Sequence, residues 1–440
     1  MRLALCGSTA LYMTRAMRLG LLDRQDGAVR EPLCLPDPGH NRRRFTAKLL
    51  KSVRIGGTLP LPLDRPLEIA VPAGSKHLQS SLFVTTVYGH RIPQSSFVPL
   101  GDGFQVSSPE LLFVEMAQVM PFFNLVLLGC ELCGTYTRNP SDPMGGEVVF
   151  GVPPVTNVEA IRTFARSCRN LVGIARAREA LRYVMDNAWS PMEAVVATLA
   201  NLPPEHFGYG LGPVVLNERV SVSAAASHTT RLPDMMLGGT ATGLNYDGEN
   251  HLELSGVVDS AIHSAAAPGD GQLAKALEQS IQAVREKYVD DRRRDRELLA
   301  SGRDVLVVTY EDLVERGGLD RVMSLAMDSM ERTGGLDLSA QRSALRSLFL
   351  RDRRQELVWS ALSGELGKKV RRHLVERRRR ARASRHVCEY QIRLQPVSRG
   401  VARPVSQGVS QILQAALCRK QPFSQHLVSR LRDIPAGGAT

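Results

Sequence analysis

The sequence predicts an α/β protein, with an α+β N-terminal part and a C-terminal half built on a mixed β-sheet flanked by helices. Three observations carry this. Residues 190–330 read in the order helix, three strands, helix, strand, helix. A meander followed by a helical crossover to a further strand makes a mixed sheet with helices on its faces. Residues 66–106 hold β-rich runs broken by turn residues. The chain has 440 residues, 43% hydrophobic and 23% charged, an ordinary balance for a globular protein of two or three domains.

Residues 1–55 read as mostly helical, with a basic Asn41-Arg42-Arg43-Arg44 cluster after Pro36-Asp37-Pro38-Gly39. Leu67–Val71 and Ser81–Val87 are strand-like, separated by Pro72–Ser75. Phe97-Val98-Pro99-Leu100 and Phe104-Gln105-Val106 flank Gly101-Asp102-Gly103, a hairpin pattern. Ser108-Pro109-Glu110 then opens a helix, with Ser as N-cap, Pro at the first helical position and an acid in the first turn. Leu111–Gly129 has no Lys or Arg, but Glu115, Gln118, Pro121 and Asn124 make it two buried helices rather than a membrane span.

Asn157–Asn187 reads as two arginine-bearing helices. Ser190-Pro191-Met192-Glu193 repeats the helix-start grammar, and Ala194–Leu202 continues at helical spacing. Leu216–Ala224 alternates as a strand. Arg231–Leu237 and Ala241–Asp247 are strands around a Gly238-Gly239-Thr240 turn. Ser255–Gln272, rich in Ala, Gly and Ser, reads as an inserted loop. Leu273–Ala300 is a long charged helix, Asp304–Thr309 a buried strand, and Glu311–Met330 helical. The expected division is an N-terminal α+β accessory or regulator-like domain at 1–155, a helical linker at 156–189, a mixed-sheet domain at 190–335, and a basic, partly helical and partly disordered tail at 336–440.

Net charge is +12. A polyanion is the natural partner, with nucleic acid the first expectation. Lys368–Arg385 holds ten Lys or Arg against one Glu. There Lys368, Lys369, Arg371, Arg372, Arg377, Arg378, Arg379 and Arg380 lack acidic neighbours and are expected to contact phosphate. Arg292-Arg293-Arg294 has the charge to contact phosphate, but it is interleaved with Asp290, Asp291, Asp295 and Glu297, so a solvated helix face is the preferred reading. Seven cysteines show no framework, and the single CxxC at Cys130 and Cys133 lacks the second ligand pair a zinc site needs. A reducing cytoplasm fits this usage. Met1–Leu22 carries arginines throughout and no apolar core, so a secretory leader is not expected. Walker A, Rossmann and Ser-His-Asp signatures are absent, and Gly208-Tyr209-Gly210-Leu211-Gly212 lacks the strand-to-helix context of a phosphate loop.

The pattern that can carry chemistry is acidic. Glu193 lies on a helix start, Asp234 on one hairpin strand, and Asn245 and Asp247 on its partner. Residues 245 and 247 share a face, because strand side chains alternate. Carboxylates converging from different elements can hold Mg²⁺, which neutralises a phosphodiester and activates water.

Ser190-Pro191-Met192-Glu193, Asp234, Asn245-Tyr246-Asp247-Gly248, Asp291-Arg292-Arg293-Arg294-Asp295 and Gly302–Thr309, in this order, resemble a PD-(D/E)XK nuclease-like domain of the very-short-patch-repair type. The resemblance covers roughly a third of the chain. It implies a restriction-endonuclease-like core and Mg²⁺-dependent phosphodiester hydrolysis. It further implies that Asp234, Asn245 and Asp247 hold the metal, that Glu193 supports it, and that His251 stands nearby. The chain departs at Asn245, where the family places a Glu. An amide adds no charge, so metal affinity and water activation should fall. Phe97–Leu112 resembles, more faintly, abortive-infection type antitoxins and transcriptional regulators. The two functional expectations are therefore an endonuclease and a catalytically inactive DNA-binding or antitoxin-like regulator. DNA is the expected partner, a protein partner or homo-oligomer fits alongside it, and membrane association is not expected.

Overall fold

The structure is a computed structural model that describes residues 2–22, 35, 45–74, 80–89, 92–217, 233–248, 261–263, 271–300, 302–362 and 372. The N-terminal half begins with β1 (Leu3–Leu5), α1 (Gly7–Arg18), α2 (Ala47–Ser52) and the two-stranded ribbon β2 (Arg54–Ile55) and β3 (Leu59–Pro60). Next come β4 (Leu67–Pro72), β5 (Phe83–Tyr88), and the hairpin β6 (Phe97–Gly101) and β7 (Phe104–Ser107). These build a five-stranded sheet in the order β5-β4-β1-β7-β6. Within residues 1–55, expected to be mostly helical, the described part holds α1 and α2 and also a strand that was not expected. Leu3–Leu5 is the central strand, antiparallel to β4 and parallel to β7, and all three residues are buried.

The Ser-Pro-Glu segment behaves as expected. Ser108 accepts from the Leu111 N–H and opens α3 (Pro109–Met116), which is followed by α4 (Phe122–Cys133). Both are buried helices, and Cys130 and Cys133 lie one turn apart inside α4 as free thiols. A small hairpin of β8 (Tyr136–Arg138) and β9 (Val148–Phe150) leads to α5 (Val158–Ser167), α6 (Ile174–Ala180) and α7 (Pro191–Asn201).

The second sheet is β10 (Val214–Leu216), β11 (Met235–Leu237), β12 (Thr242–Asp247) and β13 (Asp304–Thr309), in that order. β10, β11 and β12 form an antiparallel meander. Gly238 and Gly239 both take left-handed φ values, +56° and +67°, which a tight hairpin turn requires and which glycine adopts without strain. β13 pairs parallel to β12 over six residues, Thr242↔Asp304 to Asp247↔Thr309. Parallel pairing needs a crossover, and α8 (Gly271–Ala300) lies between the two strands in sequence. The expected mixed sheet flanked by helices is therefore present. Two details differ. The first strand falls on Val214–Leu216 rather than starting at Leu216, and residues 218–224 of the expected span lie outside the described residues. β13 is an edge strand, mostly half-buried rather than buried. Most of the Ser255–Gln272 segment also lies outside the described residues.

The chain continues with α9 (Tyr310–Val314), α10 (Gly318–Gly334), α11 (Ser339–Arg346) and α12 (Leu348–Ala361). Residues 339–361 were expected to belong to a tail, but they pack. Arg354, 2% exposed, donates to both carboxylate oxygens of Asp320 at 2.9 and 3.0 Å and stacks over the Tyr209 ring. The Trp359 indole N–H donates to the Val314 carbonyl. Buried apolar residues from Leu3 to Leu362 form one contiguous cluster. α7 packs on α4, and the Thr135 N–H donates to the Ala188 carbonyl, so among the described residues the two regions are in contact. Among the described residues, no helix is long and apolar enough to cross a membrane.

Candidate functional site

The site grows from a helix cap. Ser190 accepts from the Glu193 N–H at 3.1 Å, and the Glu193 carboxylate turns back to accept from the Trp189 N–H at 3.0 Å. The Ser190 cap satisfies a donor that the helix start leaves free, while Glu193 reaches one residue further back than the N-cap, to Trp189. The other Glu193 oxygen accepts from the Asn217 amide at 2.5 Å. Asn217 follows β10 in a left-handed conformation, φ 45°. Its N–H donates to the Asp234 carbonyl at 3.0 Å, so one residue ties the helix cap to the hairpin.

Asp234 immediately precedes β11, and Asn245 lies across from it on β12. The Asp234 N–H donates to Asn245 Oδ1 at 3.1 Å, and the Tyr246 N–H donates to Asp234 Oδ2 at 2.9 Å. Arg294 closes the arrangement from α8. Its Nη2 donates to Asp234 Oδ1 at 2.7 Å and to Asn245 Oδ1 at 3.1 Å. The pair is mostly buried, with side chains 25% and 19% exposed, and Asn245 is buried.

Burial pushes the Glu193 carboxyl up to about 8, and the nearby Asp234 charge adds to the rise. Hydrogen bonds from Trp189, Asn217 and Ser190 pull the other way without reversing it. Glu193 is thus predominantly a neutral acid at neutral pH, while Asp234 has a guanidinium against it.

The structure brings Glu193, Asp234 and Asn245 together at one end of the inner strands β11 and β12 of the second sheet. Asp247 is half-buried two residues along β12, on the face of Asn245 by strand alternation. His251 lies outside the described residues, as do Lys368, Lys369, Arg371, Arg377, Arg378, Arg379 and Arg380. Arg372 is described as helical and exposed. Two residues in this cluster were not foreseen. Arg294 was read as part of a solvated face, yet it shares a helix stripe with Leu298 four residues on, which is 1% exposed. That leucine, and the place of Arg294 in the Asp291–Asp295 segment that carries the nuclease-like resemblance, were the available signals. Asn217 carried none, because its role comes from a contact across 17 residues of chain.

The arrangement does not offer a divalent cation its usual ligands. Such an ion wants several anionic oxygens turned to one point. Here one carboxyl is held toward its neutral form, one position is an amide, and a guanidinium occupies the oxygens of Asp234 and Asn245. Among the described residues, no group of three His, Cys, Asp or Glu gathers to hold a metal. What the cluster holds through its own residues near neutral pH is a proton on Glu193. No protein-family model, curated protein or solved structure matches the chain.

Proposed function

We propose that the chain is a DNA-associated regulator that keeps a nuclease-like frame and does not hydrolyse the phosphodiester. The observation that carries this reading is the Arg294 guanidinium seated on Asp234 and Asn245. It neutralises the acid that a Mg²⁺-dependent enzyme would reserve for its metal. Association with DNA rests on charge. Residues 361–440 carry 17 Lys or Arg against four Asp or Glu, so the +12 of the whole chain resides there. Contacts from this basic segment to phosphate release counterions, and the resulting affinity falls steeply with salt.

The test is plasmid nicking with Mg²⁺ or Mn²⁺, using the native chain and Asn245→Glu, beside salt-dependent binding to duplex DNA. The native chain is expected to bind without nicking, and truncation after residue 365 to abolish binding. Nicking by the native chain would overturn the reading in favour of an endonuclease in which Asp234, Asn245 and Asp247 hold Mg²⁺ while Glu193 and His251 assist. Binding that survives truncation or ignores salt would remove the basic segment as the DNA contact.

A further inference from the structure

A cavity of about 300 Å³ lies far along the chain from the Asp234 cluster, in the N-terminal half, and the proposed DNA role does not use it. It opens between α1, the end of α3, α4, the loop joining β8 to β9, and Ala361 at the end of α12. That size is at the lower end of small-molecule sites. Leu11, Met116, Met120, Leu127 and Leu128 give it an apolar wall. Methionines make such a wall adaptable.

One charged side chain in this wall is unfinished. Arg15 is nine-tenths buried, its side chain 9% exposed. Its Nε and Nη2 donate to the two oxygens of Glu131 at 2.8 and 2.7 Å. Nη1 makes no bond to the protein. Glu131 Oε1 also accepts from the Arg138 N–H at 3.1 Å and the Thr137 hydroxyl at 3.5 Å, so the carboxylate is held by its own partners on the far side of the guanidinium fork from Nη1. Nη1 is not sealed from solvent, so it is a charged donor open to the cavity, and a ligand oxygen there would take the place of water. Arg65 stands exposed at the rim, and Arg138 lines the wall. Three guanidiniums against one carboxylate leave the cavity positive.

We propose that this cavity binds a small amphipathic anion, its carboxylate accepting from Arg15 Nη1 and its apolar body lying against Leu11, Met116, Met120 and Leu127. The probe is decanoate, titrated calorimetrically into the full chain beside decan-1-ol, which has the same alkyl body without the charge. Decanoate should fill one saturable site, and the alcohol should bind about tenfold or more weakly, the worth of one charged hydrogen bond. Met120→Trp fills the cavity from a half-buried position and should abolish binding. Removing Arg15 alone would strand Glu131, so the head group is tested with Arg15→Met and Glu131→Met together. That double variant should lose the preference for acid over alcohol while still binding the alcohol. The proposal is overturned by an absence of saturable decanoate binding, by equal affinity for acid and alcohol in the native chain, or by decanoate binding that persists in Met120→Trp. That last result would place the ligand elsewhere on the chain. Since no arm of this test involves DNA, its failure and that of the DNA reading are separate.

Discussion

Replacing Glu193 with Gln should change how the stability of this protein depends on pH. The Glu193 carboxyl is raised from 4.5 to about 8, chiefly by burial. Between those values the folded chain holds a proton that the unfolded chain has released. Linkage then requires stability to fall as pH rises through this window. At 1.36 kcal/mol per unit, the loss comes to roughly 4–5 kcal/mol. Glutamine mimics the protonated acid: it keeps one acceptor and places a donor where the hydroxyl would be. The variant should therefore match the native chain near pH 4.5 and become progressively more stable than it toward pH 8.5. Urea unfolding followed by tryptophan fluorescence reads this directly, because both tryptophans, Trp189 and Trp359, lie in this half and Trp359 is buried. Glu115 is also raised, to about 7, but its contribution is common to both chains and cancels in the comparison. Parallel stability profiles for the two chains from pH 4.5 to 8.5 would refute the argument. They would mean that Glu193 titrates alike in the folded and unfolded states.

Arg294→Met leaves Asp234 and Asn245 without a shared donor and should cost about 1.5–3 kcal/mol, read as a lowered urea midpoint. Arg354→Met strands the buried Asp320 carboxylate and should cost about 3–5 kcal/mol; Asp320→Leu added to it should recover much of that loss in the same assay. Gly7→Ala places a side chain at φ +54°, with the new carbon 1.8 Å from a Glu68 oxygen. A destabilisation of roughly 1–3 kcal/mol is expected in thermal unfolding.

The cap at Ser190, the Gly238-Gly239 hairpin and the strand at Asp304–Thr309 were legible in the sequence. Each depends on residues a few positions apart. A polar side chain either reaches its own helix end or does not, and two glycines either permit a left-handed turn or do not. The parallel partner of β12 was also legible, because a long helix between two strands admits few other arrangements. Leu3–Leu5 was missed because three residues are too few to show a period, and only pairing with β4 and β7 makes them a strand. Residues 339–361 looked like the start of a tail because their charges dominate the composition. Arg354 is nonetheless buried, since Asp320 and Tyr209 meet it from far along the chain.

The sequence by itself determined the helix starts at Ser108 and Ser190 and the Gly238-Gly239 hairpin, and it brought Glu193, Asp234 and Asn245 forward as residues to be compared. Tertiary structure alone decided that Arg294 would sit on two of them, that Glu193 would be driven toward its neutral form, and that Arg15 would face a cavity with one donor unused. Backbone conformation is set by neighbours within a turn or two. The charge state and partners of a buried side chain depend on which distant groups share its dry surroundings.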